Sequence, residues 1–228
     1  MTARPLILFV TGTDTGVGKT VLAVWLVRFL VDAGVPVTAF KPVCSGGRED
    51  ARQLHEALGG NPPLSTINPW HFRAPVAPDL AARREGRGVR LAQVLHHLRA
   101  HRPAQGVMLI EGAGGLLSPL GQDFDSRDLI SALRAIPLVV CPNRLGAVNQ
   151  VRLVLEALPP TRTAEAQVLL APPPRPDAAT PVNAQALARF LPPNRISVLP
   201  RIRGVPGKAA SPSRQWQRVL SRLLRACQ

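Results

Sequence analysis

Gly12-Thr13-Asp14-Thr15-Gly16-Val17-Gly18-Lys19-Thr20 decides the fold, because of what stands on either side of it. The apolar run 6–10 before it reads as a buried strand, and Val21, Leu22, Trp25, Leu26 and Phe29 after it recur at helical spacing. A strand, a glycine-rich turn and a helix that opens on Gly-Lys-Thr make a phosphate cradle, since unpaired backbone N–H groups and the positive end of the helix dipole converge there. In such a P-loop Lys19 reaches the terminal phosphates as a point charge, and the Thr20 hydroxyl joins a Mg²⁺ shell. Thr13, Asp14, Thr15, Gly16, Val17, Gly18, Lys19 and Thr20 are therefore the expected nucleotide contacts. One position departs from the strict pattern, which wants glycine where this chain has Thr13; Gly12 sits one place earlier.

Working outward, Gly34 and Pro36 end the helix, and Val37–Phe40 reads as a second strand that runs into Lys41-Pro42-Val43-Cys44-Ser45-Gly46-Gly47. Open α/β sheets place their ligands at the carboxyl ends of strands, so Lys41 is placed to reach the same phosphates. Only Lys19, Lys41 and Lys208 are lysine among 28 basic residues. In a chain that otherwise uses arginine, the two lysines in motif positions mark a need for a compact ammonium. Segment 49–58 reads as a short helix with Asp50 in its first turn, where an acidic residue is usually a dipole partner. A third apolar strand, 106–110, ends on Glu111-Gly112-Ala113-Gly114-Gly115. A carboxylate at that point is the Walker B arrangement, which holds Mg²⁺ directly or through water opposite Thr20. The glycines behind it, Gly114 among them, let backbone approach a ligand closely.

The rest of the chain alternates in the same way. Segment 59–78 is proline-punctuated and irregular, long enough to be functional or lid-like. Helices are expected over 91–101, from a Ser126 cap to 135, over 147–158, 181–191 and 212–227, with strands at 137–141, 167–170 and 196–199. His97 and His101 share the i, i+4 spacing of metal ligands, but no third ligand accompanies them. Alternation throughout predicts one α/β domain over 1–228: a doubly wound, mostly parallel sheet of about six or seven strands with helices on both faces, of P-loop NTPase type.

Composition narrows the classes. At 228 residues and 46% apolar the chain is globular, and no apolar run reaches the roughly 18 residues of a membrane span. The short apolar start runs straight into the phosphate loop, unlike a signal peptide, and three widely separated cysteines suit a reducing compartment; a cytoplasmic protein is expected. The net charge of +14 raises a nucleic-acid or anionic-surface reading, since eight basic and no acidic residues lie from Arg195 onward. Arg214, Arg218, Arg222 and Arg225, however, recur at helical spacing opposite Val219, Leu220, Leu223 and Leu224, which is the pattern of a solvated helix face. The solvated face is the preferred reading; neither nucleic acid nor membrane is expected as a partner.

Four stretches taken together resemble dethiobiotin synthetase: the phosphate loop, Lys41-Pro42-Val43-Cys44-Ser45-Gly46, Glu111-Gly112-Ala113-Gly114-Gly115 with Pro119-Leu120, and Leu145-Gly146-Ala147-Val148-Asn149. Asn68-Pro69-Trp70 through Glu85-Gly86 is similar to that family's substrate loop. The resemblance runs to about residue 158 and thins beyond it. It implies ATP-dependent carboxylation and ring closure of 7,8-diaminononanoate with CO₂ or bicarbonate, through a carbamate and a carbamic-phosphoric anhydride. By the same resemblance Lys19, Lys41, Thr15 and Ser45 are catalytic, Thr20, Asp50 and Glu111 form the Mg²⁺ shell, and Lys41 and Ser45 also contact substrate. Leu145, Gly146 and Asn149 would grip the substrate's carboxylate tail from a neighbouring subunit, which implies a homodimer with a shared site.

Departures from the family pattern are Gly16 where some members carry Glu, and Asp79 and Gln150 where His is common. Ala171-Pro172 stands where an adenine-reading Asn is expected, so other nucleoside triphosphates are expected to replace ATP. Two further readings compete with this one. A partitioning or septum-site type ATPase, using the basic C-terminal region on DNA or membrane, would carry an additional lysine near Gly12-Thr13-Asp14. An amidating synthase would need a glutaminase domain for which the chain has no room.

Overall fold

The computed structural model describes residues 5–201 and 211–227. Its strands are β1 (Leu6–Gly12), β2 (Val37–Phe40), β3 (Val43–Ser45), β4 (Trp70–Phe72), β5 (Val107–Glu111), β6 (Ile136–Pro142), β7 (Gln167–Ala171) and β8 (Ile196–Val198). Its helices are α1 (Lys19–Asp32), α2 (Glu49–Ala57), α3 (Leu64–Ile67), α4 (Pro78–Arg84), α5 (Leu91–Ala100), α6 (Ser126–Leu133), α7 (Ala147–Ala157), α8 (Pro160–Glu165), α9 (Asn183–Leu187) and α10 (Arg214–Ala226). Six strands form one sheet in the order β2-β5-β1-β6-β7-β8, every neighbouring pair parallel, as the alternating pattern predicts.

Strands covered on both faces read as continuous apolar runs, and the period of two then sorts each run between two cores. Ile7, Phe9, Met108, Ile110 and Val139 join the core beneath α5, α6, α7 and α9. Leu8, Val10, Leu109, Leu138 and Val140 join the core beneath α1, α2 and α10. Helix α1 is buried around most of its circumference because α2 and α10 cover the side that the sheet leaves open.

Three local expectations are corrected. The cap of α6 is Asp125 rather than Ser126: its carboxylate accepts from the backbone N–H of Arg127 and Asp128, while Ser126 is buried. Asp125, one residue earlier, has the extended backbone that an N-cap requires and an oxygen that reaches the first-turn amides. Helix α9 covers less than 181–191, because Asp177 and Thr180 bind one another and the neighbouring amides, which holds the preceding segment in a turn. Segment 59–78 is not wholly irregular: it contains α3, and β4 pairs in parallel with β3, matching Val43 to Trp70 and Ser45 to Phe72. Proline masked that strand, which is three residues long and binds only one neighbour.

Candidate active site

Parallel pairing brings the loop after β1, the end of β2 and the end of β5 to one edge of the sheet. Val10 is in register with Glu111, and Phe40 with Ile110, so the next residue along β2, Lys41, falls beside Glu111. That register makes the central contact. Lys41 Nζ lies 2.7 Å from Glu111 Oε1, 2.9 Å from Asp50 Oδ2 and 3.0 Å from the carbonyl of Gly112. Lys41 is 2% and Glu111 1% exposed, so neither charge is satisfied by water. Burial alone would push the Lys41 ammonium down, but Glu111 and then Asp50 outweigh it and hold it above its ordinary value. Against the upward pull of burial, Lys41 holds the Asp50 carboxyl below the usual carboxylate range.

Glycine conformation shapes the phosphate loop. Gly18 takes φ 101° where α1 begins, a left-handed value that side chains rarely adopt. The displaced glycine at 12 also finds its reason, since a Cβ there would stand 2.6 Å from Val17 Cγ2. Lys19 bends back so that Nζ meets the carbonyl of Asp14 at 2.8 Å, and the Asp14 carboxylate takes the Thr15 N–H at 2.7 Å. Burial lowers the Lys19 pKa to about 8, with Lys41 adding to the effect. Thr20, one residue into α1, donates its hydroxyl to Glu111 Oε1 at 2.7 Å.

These groups surround a cleft of about 710 Å³. Of the residues expected at the site, Thr15, Gly16, Gly18, Lys19, Thr20, Lys41, Ser45, Asp50, Glu111 and Gly114 line it. Gly114 has φ 68°, and a Cβ on it would meet Ser118 Oγ at 2.3 Å, so the loop after β5 can close on the phosphate loop only with glycine there. Ser45 donates to the carbonyl of Val76 at 2.5 Å, tying β3 to the opposite wall. Leu145, Gly146 and Asn149 do not line the cleft; they sit exposed where β6 turns into α7. Val76, Ala77 and Ser118, which sequence reasoning passed over, line the cleft together with Cys44, and Gly112 supplies its carbonyl to Lys41. The thiol of Cys44 is pushed up by burial, so it is not a reactive group.

Thr20, Asp50 and Glu111 present only oxygen donors, and among the described residues Glu111 Oε2 is buried with no hydrogen-bond partner. That set fits a hard divalent cation such as Mg²⁺, which takes one or two carboxylates and fills its shell from phosphates and water. Among the described residues no group of three or more His, Cys, Asp and Glu is gathered to hold an ion alone, and the His97 and His101 pair is no exception.

The AAA domain family matches residues 7–208 of the chain. The ATP-dependent dethiobiotin synthetase of Anaeromyxobacter dehalogenans (strain 2CP-C) is 43% identical over 198 residues, covering 85% of this chain and 89% of its own. That of Caulobacter sp. (strain K31) is 38% identical over 193 residues, covering 81% and 83%. A plasmid partition protein from Borrelia burgdorferi, solved with AMPPNP bound, superposes with a TM-score of 0.59 over 98% of both chains at 11% identity, a likeness of fold alone.

Proposed function

The chain belongs to the ATP-dependent dethiobiotin synthetase family, and from that premise we propose how its residues carry the reaction. It is a cyclo-ligase. An amine of 7,8-diaminononanoate adds to CO₂ and loses a proton to give a carbamate. A carbamate oxygen takes the γ-phosphoryl group as ADP leaves, and the second amine then attacks the carbonyl carbon, closing the ring as phosphate departs. The observation that carries this assignment of roles is the cluster at the sheet edge, where Lys41, Glu111, Asp50 and Thr20 meet beside the phosphate loop.

Phosphoryl transfer asks for positioning and for charge to be met where it develops. Lys19 leaves the Asp14 carbonyl for the outer phosphates, and Lys41 turns its ammonium between the γ-phosphate and the carbamate. Thr15 and Ser45 hydrogen-bond the same oxygens from the two walls of the cleft. Thr20, Asp50 and Glu111 would hold Mg²⁺, which when bound neutralises phosphate charge. Both lysines lie in one buried edge, where such contacts stabilise the transition state by several kcal/mol, on the order of 3 per donor.

Asn149 and Leu153 stand at i, i+4 spacing on one face of α7, and Leu145 lies just ahead of the helix. Leu145 is 76% and Leu153 62% exposed, an apolar face suited to a second copy of the chain. In that dimer Leu145, Gly146 and Asn149 reach the substrate's carboxylate in the partner's cleft. Ala171 lies at the end of β7, close to Gly18. With Pro172 after it, no side-chain amide there reads a base, so GTP and CTP serve as well as ATP. The partitioning-type reading is not favoured, since the relatives of high identity are synthetases.

The test is phosphate release from ATP in the presence of bicarbonate and Mg²⁺, with and without 7,8-diaminononanoate. Release should depend on the diamine, stop when Mg²⁺ is chelated, and continue at comparable rates with GTP or CTP. Release indifferent to the diamine would overturn the assignment.

A further inference from the structure

The β3–β4 pairing puts a buried amide at the foot of the lysine that the mechanism relies on. Asn68, between α3 and β4, is 1% exposed. Its Nδ2 donates to the carbonyl of Lys41 at 2.7 Å. On its other side Oδ1 accepts from Arg48 Nε at 3.0 Å and from the Cys44 thiol at 3.4 Å. Arg48 also donates through Nη2 to the Asn68 carbonyl at 2.9 Å. Arg48 is the residue immediately before α2, whose first turn carries Asp50. One side chain therefore joins the backbone of Lys41 to the start of the helix that presents Asp50, and the Lys41 ammonium in turn pairs with both Asp50 and Glu111.

Only an amide satisfies both sides. The Lys41 carbonyl needs a donor, and Arg48 and Cys44 need an acceptor; a carboxylate would serve the second and repel the first, and an alkyl side chain would serve neither. Lys41 N–H is itself held by the carbonyl of Ile67 and the Pro42 carbonyl by the N–H of Trp70, so both peptide groups around the lysine are pinned to the segment that carries Asn68. An ammonium on a four-carbon stem has many rotamers, and where its tip comes to rest follows from where its backbone is held.

We infer that Asn68 is a positioning residue for the phosphoryl-transfer step: it sets the Lys41 ammonium and the α2 N-terminus relative to each other. The inference rests on the assignment of Lys41 to the reacting oxygens. A displacement of about 1 Å at a positioned group costs up to about a hundredfold in turnover, with binding little changed. Asn68 touches no reacting atom, so its effect passes through Lys41.

Asn68→Asp keeps the size and the Arg48 contact and reverses the donor toward Lys41. We expect kcat to fall about tenfold or more while KM for ATP and for the diamine stays within about twofold. In a Lys41→Arg background, where the bulkier, flatter guanidinium has already lost the geometry, Asn68→Asp should cost less than about twofold further. A tenfold loss in both backgrounds, or a rise in KM with kcat intact, overturns the inference and makes Asn68 a structural residue only. Arg48→Met leaves the amide in place but removes its anchor, and it keeps the test open if Asn68→Asp does not fold; a kcat loss of about threefold or more is expected, and unchanged turnover counts against the proposal. If Lys41→Arg alone turns over like the parent, the role of Lys41 fails first and the inference falls with it. Diamine-independent turnover in the parent protein would instead point to failure of the functional assignment itself.

Discussion

Lys19 and Lys41 carry the same ammonium into surroundings that move it in opposite directions. Lys41 has Glu111 and Asp50 against it and stays charged at any working pH. Among the described residues Lys19 bonds the Asp14 carbonyl and no carboxylate, and burial brings it down to about 8. The sign follows directly: Lys19 is protonated below about pH 8 and loses its charge above. Affinity for Mg²⁺-ATP should therefore be level below that point and weaken as pH rises through it, by up to about tenfold per unit before bound phosphate pulls the proton back on. Lys19→Arg should remove that alkaline limb, because guanidinium does not titrate there. A titration of nucleotide affinity that stays level to pH 10 would contradict the burial of Lys19. Because its folded value lies below its unfolded one, Lys19 disfavours folding below pH 8, and that cost fades as pH climbs toward 10.5.

Helix α10 shows how an element remote from the chemistry supports it. Trp216 stacks on Trp25 of α1 with ring centroids 5.9 Å apart, and Leu220 and Leu223 are buried beside it. Since α1 begins at Lys19, α10 braces the helix whose first turn is the phosphate site. Leu220→Ala should lower unfolding stability by about 2–5 kcal/mol through lost burial and the cavity left behind. The denaturant midpoint would drop at unchanged slope, and saturating nucleotide would restore part of it by binding only the folded state. A midpoint identical to the parent's would deny that α10 covers α1. The opposite face of α10 carries Arg214, Arg218, Arg222 and Arg225, as its periodicity predicts; Arg222 holds the carbonyl of Pro193 at 3.0 Å. Arg203 and Lys208 of the same basic stretch lie outside the described residues.

At the scale of the molecule the cleft is assembled from the ends of non-consecutive strands, and the remaining substrate contacts are expected from a second copy. Asp177 Oδ2 takes the Leu145 N–H at 2.7 Å, and Asn183 ties Asn143 and the Arg144 carbonyl, so the β6–α7 turn is tied down by bonds within the one chain. Leu153→Glu puts a charge at the centre of the exposed α7 face. The expected outcome is a halved mass in solution and a loss of diamine-dependent turnover, with nucleotide affinity unaltered. A monomeric parent protein, or a charged variant that remains dimeric and active, would sink the shared site. Among the described residues no helix is long and apolar enough to cross a membrane.

Local order in the residues was enough to determine the strand, loop and helix around Lys19, the strand ends at Lys41 and Glu111, and the α/β alternation, because periodicity and glycine placement act over a few neighbouring positions. What tertiary structure alone decided is which strand ends lie side by side. Sequence order leaves β2 next to β1, whereas the fold inserts β5 between them, and that insertion sets Lys41 against Glu111. The role of Asn68 was hidden for the same reason: its partners are 20 to 27 positions away in the chain, and they meet only after β3 and β4 pair. Asp50, ambiguous as a helix-start carboxylate, acquires its partner only when α2 packs beside the end of β2. Long-range pairing is selected by the burial of whole faces, a property of the assembled sheet that no single stretch encodes.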